Sequence, residues 1–183
     1  MSETPPILRL RKRHSGAEPS ARATIDPVAL VGSQSLRGAF YGAILAALIL
    51  NALWVGSSMV FDRFFPWFSI VQGFLIGRAV RRYGDGFDWR FPLLAAVIAF
   101  AAAVTGSFIS ALNLTGREFG TGALPLIAEI SWHTIRTFLA REFGAVGTVY
   151  GLFGAALAAY YSRRILDRDE ASALRAWREG SNR

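Results

Sequence analysis

The sequence contains no cysteine among its 183 residues, which excludes disulfide bonds, thiolate metal ligands and thiol nucleophiles. Histidine is nearly absent, because only His14 and His133 occur. A tetrahedral zinc site would lack ligands, and a catalytic triad would depend on a single histidine base. We therefore expect no metal and no cofactor, and we assign no catalytic residue.

Charge is absent from three long stretches, residues 38–61, 91–116 and 143–162. Each holds about 20 residues or more, which is enough to cross a hydrocarbon core about 30 Å thick. None contains a histidine or an acid, and proton-coupled pumps need such ionisable groups at depth. The sequence therefore predicts three transmembrane spans and argues against a proton-coupled transporter.

A fourth apolar run, residues 64–80, is interrupted by Arg78. The guanidinium can snorkel to the headgroups, so that about 17 residues would cross a locally thin bilayer. The alternative is a re-entrant or interfacial segment. Sixteen of the twenty basic residues lie in the N-terminal tail, the loop of residues 78–90 or the C-terminal tail. Only four spans put these segments on one side, which the positive-inside rule makes cytoplasmic.

The predicted fold is an all-α integral membrane bundle of four transmembrane helices, with a short interfacial helix on the outer side. The expected location is a bacterial cytoplasmic (inner) membrane, with both termini cytoplasmic. The predicted segments are a disordered basic tail at 1–35, a membrane domain at 36–162 with spans at about 38–60, 64–80, 91–114 and 143–162, an interfacial helix at about 126–141, and an amphipathic tail at 163–183.

Small residues recur at four-residue spacing within three of the spans. The glycines of these stripes are Gly38, Gly42, Gly73, Gly77, Gly147 and Gly151. Such faces let helix backbones approach closely in lipid, where apolar helices gain little from contact alone. They indicate either internal packing of the bundle, which we favour, or an interface with another protein.

Two amides, Asn51 and Gln72, lie within apolar runs at matching depth, about 12 to 14 Å from the outer end. They belong to consecutive antiparallel spans, so a hydrogen bond between them is expected. We favour a structural role for this bond, which would hold the two helices together, over a substrate site. In the third span, Thr105, Ser107 and Ser110 could line a wet path or bond to carbonyls of their own helix.

The loop RRYGDGFDWR joins the second and third spans. Gly84 and Gly86 suit backbone positions with positive φ in a tight connection. The other candidate contacts of this cytoplasmic loop are Arg81, Arg82, Asp85, Asp88 and Arg90. The pattern is typical of a solvent-exposed turn between two spans rather than of an active-site loop.

In the outer segment, Glu129 and His133 are four residues apart and would share one helix face. They are a candidate ion pair, proton-handling pair or half of a metal site, and an exposed helix pair is the favoured interpretation.

The hairpin VQGFLIGRAVRRYGDGFDWRFPLLAAVIAF resembles an arrangement found in small bacterial polytopic membrane proteins. They share a glycine-containing span, a GxAVR-type exit, a glycine turn and an alanine-rich span, although their turn is richer in glycine. The resemblance implies no reaction and no catalytic residue.

Three functions remain open from the sequence. The leading hypothesis is a non-enzymatic accessory or scaffold protein that binds another membrane protein, or itself, through its glycine faces and basic tails. The alternatives are a small oligomeric permeation component that uses the amides and hydroxyls, and a membrane-embedded enzyme. Anionic lipids are expected at the cytoplasmic face. A single short basic run without interleaved aromatics argues against a nucleic-acid partner.

Overall fold

The computed structural model describes residues 26–118, 120 and 130–181, and every regular element in these ranges is helical. The all-α class predicted from the sequence is therefore confirmed for this part of the chain. The elements are α1 (Pro27–Gly32), α2 (Leu36–Phe61), α3 (Phe68–Gly84), α4 (Arg90–Glu118), α5 (Trp132–Thr137), π1 (Phe138–Phe143, a π-helix), α6 (Gly144–Ser162) and α7 (Arg168–Ser181).

Three helical segments are long and apolar enough to cross a membrane, which is compatible with a membrane protein. They are Pro27–Phe61, which contains α1 and α2, together with Arg90–Glu118 and Gly144–Ser162. These segments contain the three uncharged runs of the sequence or most of their residues. An uncharged run of this length can remain within the hydrocarbon core from end to end.

Helix α3 derives from the fourth apolar run, but it has 17 residues and begins at Phe68 rather than at residue 64. Asp62 ends α2 in the left-handed conformation, with φ of 49°. Proline has no amide hydrogen to donate, and Pro66 occupies the short connection that follows. The connection therefore uses residues that the sequence had placed within the span.

The four long helices form an up-and-down bundle in which α3 and α4 each contact the other three. Helices α2 and α6 lie on opposite sides and do not touch one another. Gly38 faces Tyr83, and Asn51 is bonded to Gln72, so α3 runs antiparallel to α2. Helix α3 is thus an inner element of the bundle rather than a segment lying on its surface.

The glycine stripes meet groups of this same chain. A Cβ placed on Gly77 would lie 2.6 Å from the Ala158 carbonyl oxygen, and Gly73 faces the backbone of Gly154. Equivalent positions on Gly38 and Gly42 would meet Tyr83, while those on Gly147 and Gly151 would meet Phe143 and Phe100. These contacts fit the internal-packing interpretation and occupy the faces that a partner would have used.

The bundle has two ends, which we name by their residues. The basal end is where Ser35, Gly84 and Arg164 meet, and α1 and α7 contact each other there. The distal end is where Asp62 and Arg117 meet, with side chains 3.7 Å apart. Arg117 also donates to the Met59 carbonyl at 2.7 Å, which binds the end of α4 to the end of α2.

Two described segments differ from their predicted form. Within the predicted disordered tail, Pro27–Gly32 forms α1, because the Asp26 side chain caps it and proline suits the first helical turn. The predicted interfacial helix at 126–141 is described only from residue 130. There α5 and π1 lead directly to α6 through Gly144, whose φ of 43° breaks the helical path.

Candidate functional site

A polar cluster lies between α2, α3 and α4. Gln72 is fully buried and donates from Nε2 to Asn51 Oδ1 at 2.8 Å. The structure thus brings together the two amides that matching depth had singled out. Such a bond between membrane helices contributes about 0.6 to 2 kcal/mol, so it holds α2 and α3 in register.

Four polar side-chain atoms of α2, α3 and α4 have no hydrogen-bond partner among the described residues. They are Trp54 Nε1, Ser58 Oγ, Gln72 Oε1 and Ser110 Oγ. All four side chains are fully buried. Because an unpaired buried polar group costs about 1 to 3 kcal/mol, each of these atoms is costly to bury.

Close packing surrounds the amide pair. A Cβ placed on Gly106 would lie 2.8 Å from the Trp54 ring and would also meet the Asn51 side chain, so α4 lies directly against the pair. The Trp54 ring in turn stacks on Phe68 of α3, with centroids 5.4 Å apart. Contacts this tight leave no open path for a solute at the pair and favour a structural role for it.

The hydroxyls of α4 are divided between two environments. Thr105 is exposed and donates to the Ala101 carbonyl of its own helix at 2.8 Å. Ser107 and Ser110 are buried inside the bundle. The three hydroxyls therefore do not form one continuous polar surface, as a wet path along α4 would require.

The loop after α3 is a helix cap. Arg81 and Arg82 are exposed in the last turn of α3, and the Asp85 amide donates to the Arg81 carbonyl at 3.2 Å. The expectation that Gly84 and Gly86 adopt positive φ is wrong, because the left-handed residue is Asp85, with φ of 46°. Aspartate tolerates this conformation by hydrogen bonding locally.

The two loop glycines are required by space instead. A Cβ on Gly84 would lie 2.8 Å from Ala39 Cβ, and one on Gly86 would overlap the Phe91 ring. Phe91 is itself buried at the start of α4. The loop is therefore pressed against the bundle at these two positions.

Three backbone segments are joined at the basal end, in an arrangement that we call the basal clasp. The Ser35 amide donates to the Gly84 carbonyl at 2.9 Å, and the Arg164 amide donates to the Gly86 carbonyl at 3.0 Å. The clasp ties the entry to α2, the loop after α3 and the segment after α6 into one unit. These bonds do not depend on side-chain identity.

Helix α7 packs on this end through an apolar face. Leu174 is buried in α7, and Arg164 pairs with Glu170 at 2.9 Å. Arg178 lies 3.9 Å from Asp88, which links α7 to the loop after α3. The exposed arginines of the basal end are Arg37, Arg81, Arg82, Arg90, Arg163, Arg168, Arg175 and Arg178.

At the distal end, His133 is exposed on α5. Its predicted partner Glu129 lies outside the described residues, so the pair stays a prediction. The Ser131 and Thr134 hydroxyls form a reciprocal cap at the start of α5, where the Thr134 amide donates to Ser131 Oγ at 3.2 Å. These hydroxyls are engaged by the backbone and are not oriented as nucleophiles by the histidine.

An open cavity of about 810 Å³ lies beside His133, between α4, α5 and π1. Glu118 and Phe64 also line it. The sequence did not indicate this cavity, because its walls come from three segments far apart in the chain. Trp54 and Ser58 were also missed, although they follow Asn51 by three and seven residues and so share its helix face.

Comparison of the chain with family models, curated protein sequences and solved structures gave no match. The proposals below therefore depend on the geometry and on the charge pattern of the sequence.

Proposed function

We propose that the chain is a four-span protein of a bacterial inner membrane with both tails in the cytoplasm. The inner position of α3 supports this arrangement, as does the contact between α1 and α7 at one end. The 17 residues of α3 extend about 25 Å, which a locally thin bilayer can accommodate. The basic tails and loop then lie on the side that the positive-inside rule favours.

We further propose that the protein is a non-enzymatic accessory subunit that presents its basal end to another membrane protein. The observation that carries this proposal is the basal clasp, which holds two terminal segments and a loop together as one surface. A preorganised surface loses less conformational entropy on binding than separate flexible tails would lose. The glycine faces have no part in this proposal, because they meet residues of the chain itself.

The charge of the basal end indicates the chemistry of its partner. Eight exposed arginines lie there, and on α7 Arg168 and Arg175 lie beside Ser172. Such a surface attracts acidic segments of a neighbouring protein as well as anionic headgroups. We assign the α7 surface to the partner and the arginines nearest the membrane to lipid.

In-membrane crosslinking tests this proposal without a requirement to know the partner. A photoreactive maleimide on Ser172→Cys should give one discrete adduct, whereas the same reagent on Leu152→Cys, at an exposed position of α6, should not. An adduct of twice the chain mass would identify a second copy as the partner. Equal adduct patterns at the two positions, or no adduct at Ser172→Cys, would contradict the proposal.

The permeation alternative is favoured by one observation, the four buried polar atoms without partners. A solute that supplied hydrogen bonds would relieve their cost. Flux of small polar solutes into liposomes that contain only this protein tests the alternative. Flux that Gln72→Leu abolishes would establish it, and the absence of flux in folded protein would eliminate it.

A further inference from the structure

The distal cavity has walls that change from apolar to polar in the same direction. Along α4, Phe108 and Leu112 line its inner part, whereas Thr115 and Glu118 line it nearer the helix end. Ten residues separate Phe108 from Glu118, so the inner part lies about 15 Å below the mouth. In a bundle inserted in a membrane, this separation would place the floor at hydrocarbon depth and the mouth nearer the headgroups.

The opposite wall shows the same gradient with the chain running the other way. His133 and Thr134 on α5 line the cavity first, and Thr137 follows at the end of that helix. Phe138, which is buried at the start of π1, lines it last and packs on Phe108 with ring centroids 4.8 Å apart. Two walls from separate segments therefore make one amphipathic cavity.

The wall formed by π1 is itself an unusual element. The π-helix Phe138–Phe143 belongs to a rare class that usually appears as a single-turn bulge, often at functional sites. It places the buried Phe138 and the exposed Leu139 in successive positions. Of the π1 residues, Phe138 lines the cavity beside α4.

The charges at the mouth select among amphiphiles. Glu118 supplies one carboxylate, and the cationic neighbour Arg117 is already engaged by the Met59 carbonyl and Asp62. A carboxylate binds an ammonium that can donate hydrogen bonds, while the histidine and threonine side chains can donate to a phosphate. An anionic headgroup without an amine would place its charge against Glu118 and gain less.

We propose that this cavity binds an ethanolamine phospholipid, with an acyl chain on the floor formed by Phe108, Leu112 and Phe138 and the ammonium at Glu118. A volume of about 810 Å³ is within the range of small-molecule sites, about 300 to 1,000 Å³. The proposal depends only on membrane insertion and is independent of which side the basal end faces.

Native mass spectrometry of the purified full chain tests the proposal. Delipidated protein is titrated with dioleoyl phosphatidylethanolamine, phosphatidylcholine and phosphatidylglycerol, which share the same acyl chains. We expect the ethanolamine lipid to bind about tenfold more tightly than the other two, as one charge-assisted hydrogen-bond pair allows. Equal binding of all three lipids would indicate only annular lipid and would overturn the proposal.

Variants separate the headgroup from the acyl chain. Glu118→Gln, at an exposed position, should remove the preference for ethanolamine while retaining binding. Leu112→Trp should reduce binding of every lipid by filling the floor, whereas Leu152→Trp on α6 should leave it unchanged. If Leu112→Trp does not fold, the smaller Ala111→Leu takes its place. Preference unaltered by Glu118→Gln would contradict the assignment of the mouth.

Discussion

At the residue scale, the amide pair combines a stabilising hydrogen bond with the cost of an unpaired buried oxygen. The bond between Gln72 Nε2 and Asn51 Oδ1 joins two helices, while the Oε1 atom of the same glutamine has no partner among the described residues. A substitution of Asn51 removes the bond and leaves the Gln72 Nε2 group unpaired as well. A substitution of Gln72 removes the bond together with the unpaired Oε1 atom. Asn51→Leu therefore leaves a buried amide without any partner, whereas Gln72→Leu removes that amide together with the bond.

A double-mutant cycle measures this coupling. Asn51→Leu and Gln72→Leu should each lower the free energy of unfolding in bicelles by about 1 to 2 kcal/mol. The double variant should lose less than the sum, with a coupling of about 0.6 to 1.7 kcal/mol.

Asn113 provides the matched control for the cycle. It is a buried amide of the same bundle, but it donates to the Ile109 carbonyl of its own helix at 3.0 Å. Asn113→Leu should therefore show no coupling to Gln72→Leu. Additive behaviour of the Asn51 and Gln72 substitutions would mean that the bond between them contributes nothing measurable.

Sequence reasoning reached the amide pair but not its neighbours, for a physical reason. An amide within an apolar run is rare enough to attract notice, and its depth follows from counting residues. Trp54 and Ser58 are common in membrane helices and gain meaning only from the face that they share with Asn51. Glu118 and His133 line one cavity although the chain alone does not relate them.

At the scale of elements, the contact between α3 and α6 depends on the absence of side chains. Gly73 lies against the backbone of Gly154, and Gly77 lies against Ala158. Backbone atoms cannot move aside as the end of a flexible side chain can. The helices therefore cross at these positions only while both remain small.

Gly73→Val should destabilise the bundle by about 3 kcal/mol or more, because its Cβ would overlap the α6 backbone. Thermal unfolding in detergent measures the change. Gly56→Ala is the matched control, since nothing lies within 4 Å of a Cβ at that position. Its stability should be equal to that of the parent or up to about 1 kcal/mol greater. A similar loss of stability in both variants would show that close packing at Gly73 is not the cause.

Gly144 joins π1 to α6 with φ of 43° and ψ of −152°, a conformation that glycine adopts far more readily than other residues. Gly144→Ala should therefore cost about 1 to 3 kcal/mol although the added methyl meets open space. Gly32→Ala, also in open space but without positive φ, should cost less than half as much. Equal stabilities in calorimetry would show that α6 continues past this position without strain.

The ends of the helices could be predicted from the sequence only where a charged residue ends an apolar run. The uncharged runs anticipated α2, α4 and α6 closely, because a charge in the hydrocarbon core is costly. Helix α3 starts four residues late, since Pro66 and the left-handed Asp62 shape a connection that hydropathy does not register. The π-helix had no signal in the sequence, because its side chains follow no separate hydrophobic period.

At the scale of the whole molecule, the absence of cysteine allows a direct test of topology. Single cysteines at Asp88 and Ser172 mark the basal end, and single cysteines at Arg63 and Thr134 mark the distal end. A membrane-impermeant maleimide should label only the distal pair in intact cells, and all four in permeabilised cells. Labelling of both Arg63→Cys and Asp88→Cys in intact cells would show that α3 does not cross the membrane.

The basal clasp also orders events during synthesis. The Gly86 carbonyl receives its bond from the Arg164 amide, and Gly73 meets Gly154, so the contacts of the hairpin formed by α3 and α4 are completed only after α6 has been synthesised. In a chain that ended after α4, Gly73 and Gly77 would lack the α6 backbone against which they pack, and the Gly86 carbonyl would lack its donor. We therefore expect such truncated copies to be degraded faster than the full chain, even with every earlier helix inserted.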